Sequence, residues 1–432
     1  MATTPLATAY TGRANSFGFL RLCFAFAVVL AHAAVLGFNR GLTDLVDIPG
    51  LAVAGFFGIS GFLITRSARR TSLPRYLWHR ALRIWPGLWV CLLFIGFVVA
   101  PTFYYLKHGG LHTLWRGNRG VLDYLQANWW GGHRQGGIRD VFRDTPYGAK
   151  IKSSMMDASL WTLAYEILCY LIVALLAVVG VLKRARWLVL LAAVATFGLL
   201  CWNQWAQLRF GLPAVRTSGY LPELPLLGTL STNWLLRYGF MFLVGAAAEL
   251  YSRRLPMNDV LGVASLAVIG WFAFHGQLFG PALLAYEYAI LYLAIRLPRV
   301  LHRVGQRNDY SYGVYIYSFV VQQALAWAGV QAIGFLGYFA ASAALSLGFA
   351  FVSWHLVEKQ ALKLKDWQPR LRRSDRDAEG SPPADGSSDP AAVSTSSAGA
   401  AGGTVRPVAD AAATGRPGDT TEPVPTLSPS TR

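Results

Sequence analysis

The chain predicts an all-α membrane protein, a polytopic bundle of about ten transmembrane helices, on three observations. Hydrophobic residues fill 54% of its 432 positions and charged residues only 14%, more apolar surface than a soluble core of this size would use. Apolar windows of about 20 residues, the length that crosses a bilayer, recur from residue 17 to residue 357. Arginines and lysines gather in alternate loops between them, which is the positive-inside pattern. That placement explains the net charge of +17 without a basic groove for nucleic acid. The four cysteines, Cys23, Cys91, Cys169 and Cys201, all lie in apolar runs and have no metal-type spacing, so neither a disulfide framework nor a zinc site follows.

The first span, 17–38, has a short basic lead like a signal peptide, but its apolar run is too long and more spans follow at once, so it reads as an uncleaved anchor. Its segment "RLCFAFAVVLAH" sets Arg21 and His32 eleven positions apart. Eleven steps of about 100° come within about 20° of three full turns and rise about 16 Å, so both side chains share one helix face. Taken alone, Arg21 could snorkel to lipid phosphates and His32 could donate to a neighbouring helix. As a pair they suggest an anion anchored at Arg21 whose far end lies near an imidazole able to take a proton from an alcohol.

The second span, 48–65, carries Gly55, Gly58 and Gly61 at three-residue spacing, a strip that lets a helix or ligand approach the backbone. The loop after it holds Arg66, Arg69, Arg70 and Arg75 and no acid, which places it in the cytoplasm. Arg80 and Arg83 then open the third span, 82–100, three apart on one face, where two planar guanidiniums suit phosphate. Residues 101–156, rich in Trp, Tyr, Gly and Arg, form a long outer loop that is either a binding segment or an ordered cover.

The fourth span, 157–182, enters from outside with Asp157 as its N-cap and Glu166 roughly 13 Å in, near the depth of His32. There a carboxylate would orient His32 or stabilise its imidazolium; its structural alternative is a pair with Arg237. Further spans fall at 187–206, 233–251, 259–275, 278–296, 309–330 and 332–357. Glu287 is a buried acid without an evident role, and His275 sits at an outer interface. Basic loops at 183–186, 253–254 and 296–307 put both termini in the cytoplasm. The chain thus divides into a cytoplasmic segment 1–16, a membrane domain 17–360, and a basic juxtamembrane segment with a disordered tail, 361–432.

These features together resemble acyltransferase family 3, integral membrane enzymes that O-acylate surface polysaccharides, lipid-linked sugars and some secondary metabolites. The resemblance rests on Arg21 and His32 with ten residues between, "FFGISGFLI", "RALRIWP" with Arg80 and Arg83, "SLWTLAYE" with Glu166, "DYSYGVYIYS" and "WHLVEK", in that order. It implies that Arg21, His32, Arg80 and Arg83 serve activity and the handling of an acyl-CoA donor. Ser318 stands where many members have histidine, and no secreted hydrolase-like domain follows.

The expectation is therefore a plasma-membrane O-acyltransferase with no bound cofactor or metal. Acyl-CoA, taken to be acetyl-CoA, docks on Arg80, Arg83 and Arg21, and His32, oriented by Glu166, deprotonates a hydroxyl of a glycan or glycolipid. The rival readings are a transporter of a lipid-linked sugar or acyl donor, and a glycosyltransferase using Asp44 and Asp47.

Overall fold

A computed structural model describes residues 4–12, 14–43, 46–211, 219–276 and 280–367. Asp44 and the tail lie outside the described residues. A helix stands at each of the ten predicted spans: α1 (Phe17–Phe38), α2 (Ile48–Arg70), α3 (Leu73–His108), α4 (Trp161–Val178), α5 (Trp187–Phe210), α6 (Thr232–Leu250), α7 (Asp259–Phe274), α8 (Pro281–Arg296), α9 (Ser311–Trp327) and α10 (Phe335–Asp366). Six of these, α1 to α5 and α10, are long and apolar enough to cross a membrane; α7 is a shorter apolar helix. Among the described residues, the only sheet is one two-stranded pair, Thr4–Pro5 against Pro256–Met257.

Local chemistry sets the helix ends. The Asp47 carboxylate accepts from the Gly50 amide at 3.0 Å at the start of α2, and Arg69 and Arg70 face the negative end of its dipole. Two helices contain π turns, Ile95–Val99 in α3 and Trp354–Glu358 in α10. In an α-helix, residues five apart point about 140° away from one another; a π turn brings them back onto one face. The second π turn thereby lets the Ser353 hydroxyl donate to Glu358 at 3.1 Å.

The core sits around α9, whose residues 311–323 are all buried. Polar side chains bridge its neighbours by reaching backbone carbonyls: Gln322 donates to Val29 at 2.8 Å, Tyr312 to Ile84 at 2.9 Å, and Tyr338 to Gln322 at 2.7 Å. Where lipid offers no hydrophobic drive between helices, such bonds and close packing hold them together. The glycine strip of α2 does the packing. A Cβ added to Gly61 would strike the Phe242 carbonyl of α6, and one added to Gly245 of α6 would strike the Gly58 carbonyl. Gly61→Val should therefore lower stability by about 1–3 kcal/mol. Gly239→Ala on the same α6, with open space beyond it, should change little. Unfolding midpoints in detergent compare the two, and equal midpoints would remove the strip's packing role.

Residues 101–108, expected in the outer loop, continue α3, and 109–156 form an ordered cover. It contains the short helices Val121–Asn128 and Pro146–Ile151 and buries Leu114, Tyr124, Ile138 and Phe142 completely. It is fastened to α9 by Gln323, which donates to the Met155 carbonyl at 2.9 Å, and to the end of α1 by Asn39, which donates to Pro146 at 2.8 Å. Lys107 reaches Asp140 at 2.8 Å and Asp144 at 2.5 Å. Burial raises the Asp140 carboxyl, but Lys107 and His108 outweigh it and hold the group below the usual carboxylate range.

Candidate active site

Four helices and the turn before a fifth bring their charged residues to one place. Asp309, in the turn before α9, is its hub: one carboxylate oxygen accepts from the Ser311 amide at 3.2 Å and hydroxyl at 2.6 Å. The other oxygen accepts from Arg21 of α1 at 2.8 Å and from Arg83 of α3 at 2.6 Å. Arg83 also lies 4.0 Å from Glu358, which the π turn of α10 turns toward it. One arginine thus stands between two carboxylates, and one carboxylate between two arginines.

Arg21, Arg83 and Ser311 line a small cavity of about 50 Å³ together with Glu166, Thr162 and Tyr315. Its other walls are apolar, among them Val53 and Phe57 of α2 and Ile84 of α3. Thr162 and Tyr315 are hydrogen-bonded to each other at 2.8 Å. Glu166 accepts from the hydroxyl of Tyr170, one turn along α4. Arg80 stands over the Tyr170 ring, 5.7 Å from its centroid, and its Nε is enclosed with no hydrogen-bond partner among the described residues. Arg80 and Arg83 share a face of α3 as their spacing predicts, and each stands over a tyrosine ring, Tyr170 and Tyr312 respectively, but only Arg83 also meets two carboxylates.

His32 lies elsewhere. It is three turns along α1 from Arg21, with its ring edge against Phe319 of α9 at 5.4 Å between centroids and its Nδ1 enclosed without a partner among the described residues. The expected pairing of Glu166 with His32 is not formed, and Glu166 belongs with Arg21 and Arg83 around the cavity. The depth argument assumed a helix from residue 157, whereas α4 starts at Trp161. Asp157 does not cap it; its carboxylate accepts from the Ser159 amide at 2.8 Å in the preceding turn. The alternative partner of Glu166 is also taken, since Arg237 pairs with Asp47 at 2.9 Å.

Sequence reasoning gave no role to Asp309, Glu358, Tyr170 or Ser311. A signal existed for three of them: Asp309 and Ser311 open "DYSYGVYIYS", and Glu358 lies in "WHLVEK". Ser318 is buried, and its hydroxyl donates to the Tyr315 carbonyl at 3.3 Å. Among the described residues, no three His, Cys, Asp or Glu side chains are grouped to hold a metal ion.

Residues 15–355 match a family model described as an acyltransferase domain. The chain is 28% identical to an "O-acetyl transferase" of Shigella phage Sf6, over 81% of this chain and 96% of that protein. It is 29% identical to "Nodulation protein 10" of Rhizobium leguminosarum bv. viciae, over 82% of this chain and 95% of that protein. No solved structure matches.

Proposed function

Since the chain belongs to acyltransferase family 3, we propose that it is an O-acyltransferase of the plasma membrane, moving an acyl group, acetyl in the first instance, from acyl-CoA to a hydroxyl of a glycan or glycolipid. The relative named as an O-acetyl transferase supports transfer to oxygen. The observation that carries the reading is the cluster in which Asp309 holds Arg21 and Arg83 at the edge of a small cavity. Each guanidinium has five donors, so holding Asp309 leaves others for phosphate oxygens.

In this reading the phosphorylated end of the donor rests on Arg80, Arg83 and Arg21. A cavity of about 50 Å³ has no room for a nucleotide, so only the thin thioester arm passes toward His32, the axial rise of about 16 Å fixing how far it must reach. His32 takes the proton of the acceptor hydroxyl as its oxygen bonds to the thioester carbonyl carbon. The carbon–sulfur bond then breaks, and the sulfur leaves as thiolate and takes the proton held by the His32 imidazolium, giving free thiol and neutral imidazole. Glu166, held by Tyr170, balances the arginines around the cavity rather than orienting His32.

The test is release of free thiol when purified protein in lipid nanodiscs receives acetyl-CoA and a sugar acceptor, with the acetylated acceptor identified by mass spectrometry. Uptake of either compound into vesicles with no thiol released would replace the enzyme by a transporter. Arg80→Lys or Arg83→Lys exchanges a planar fork for a point charge, and each should raise the acetyl-CoA requirement about tenfold, a loss of about 1.4 kcal/mol of binding. Unchanged dependence in both would return these arginines to topology alone.

The orientation has its own test, in a chain freed of its four native cysteines. A single cysteine at Ser72 should resist a membrane-impermeant thiol reagent in intact cells, and one at Asn118 should react. The reverse pattern would invert the bundle and take the donor site out of reach of cytoplasmic acyl-CoA.

A further inference from the structure

A second charged cleft lies apart from the Asp309 cluster. It has an open volume of about 930 Å³ and is lined from three directions by basic side chains: Arg66, Arg69 and Arg70 at the end of α2, Lys183, Arg184 and Arg186 between α4 and α5, and Arg253 and Arg254 after α6. Its one carboxylate is Glu249, which is buried and already bridges Arg66 at 3.2 Å and Arg69 at 3.5 Å. Arg66 is further held by the Tyr10 ring, 4.5 Å away. The side chains of Lys183, Arg184, Arg253 and Arg254 are exposed and make no ion pair among the described residues. Positive-inside bias accounts for basic loops but not for their convergence on one cleft around a buried carboxylate.

The cleft continues into an apolar groove of about 400 Å³ between α4, α5 and α6. Four stretches of chain run from one to the other within three residues: Thr65 to Arg66, Leu182 to Lys183, Val189 to Trp187 and Ala246 to Glu249. On a helix three residues are about 4.5 Å, so the basic and apolar surfaces are continuous. Gly239 faces the groove with open space where a side chain would be.

We infer that cleft and groove form one binding site for an anionic phospholipid of the surrounding bilayer, its phosphate on the basic cleft and an acyl chain along the groove. Charge selects the headgroup, because excess cations without carboxylate partners favour net-negative lipid over zwitterionic lipid. Apolar contact selects an amphiphile over a soluble phosphate. The inference is independent of the acyl-transfer reading and uses none of its residues.

Native mass spectrometry of the full chain, released from micelles holding equal phosphatidylglycerol and phosphatidylcholine, tests it. The expected result is about tenfold preferential retention of one phosphatidylglycerol. Arg253→Ala/Arg254→Ala should remove the preference from the headgroup side, and Gly239→Trp should remove it from the chain side. Both changes are at open positions, so the proteins should stay monodisperse. Equal retention of the two lipids by the unmodified chain overturns the inference. Retention unaffected by Gly239→Trp, with displacement of the lipid by added coenzyme A, overturns it too and makes the cleft a site for a soluble polyphosphate.

Discussion

His32→Ala is expected to lower acyl transfer by about 10²–10⁴-fold, the usual contribution of a positioned base, while the protein inserts and accumulates as before. The residue is partly exposed, its ring edge meets the Phe319 ring, and its enclosed Nδ1 has no partner among the described residues. Little packing and no buried hydrogen bond are therefore lost with it. Thiol release at saturating acceptor measures the chemistry, and gel filtration in detergent measures the fold. A variant that keeps most of its thiol release would make His32 a packing residue and would remove the base from the mechanism.

The second large effect is expected at Asp309. Asp309→Ala takes the shared carboxylate from Arg21 and Arg83 and leaves two guanidiniums facing each other with only Glu166 and Glu358 nearby. Breaking a buried pair from one side costs about 3–5 kcal/mol. Arg21 and Asp309 keep 24% and 15% exposure, so solvent screening brings the expected loss toward the lower end, near 3 kcal/mol. Acyl transfer should fall at least about 100-fold, since both arginines proposed to hold the donor lose their aim. Asp309→Glu, which keeps the charge but moves it by one methylene, should recover part of both. A normal unfolding midpoint with normal activity in Asp309→Ala would reduce the hub to an incidental contact.

The helices were legible because bilayer thickness fixes their length and composition together, and a helix stands at each apolar window, although α3 begins nine residues before its expected start and ends eight beyond its expected end, and α10 runs nine beyond its own. The shared faces of Arg21 with His32 and of Arg80 with Arg83 were legible because helical geometry is local. Partners were not. Glu166 lost His32 because four residues of turn, 157–160, stood where helix was expected, changing both its depth and its direction. Asp309 and Glu358 lie more than two hundred residues beyond Arg83, and no period in the chain links them. The π turn that aims Glu358 has no signature in "WHLVEK".

The glycine contact between α2 and α6 also bears on how the protein is made. Arg66 of α2 and its partner Glu249 at the end of α6 are 183 residues apart in the chain. At about 5–20 residues per second, synthesis takes roughly 10–40 s to cover that interval. Throughout it, α2 waits in the bilayer with its glycine face uncovered and its terminal arginines without their carboxylate. Ribosome stalling or slow codons within that stretch should lengthen the exposed period, so yield in cells should respond to translation speed between residues 70 and 250 more than to speed after residue 330.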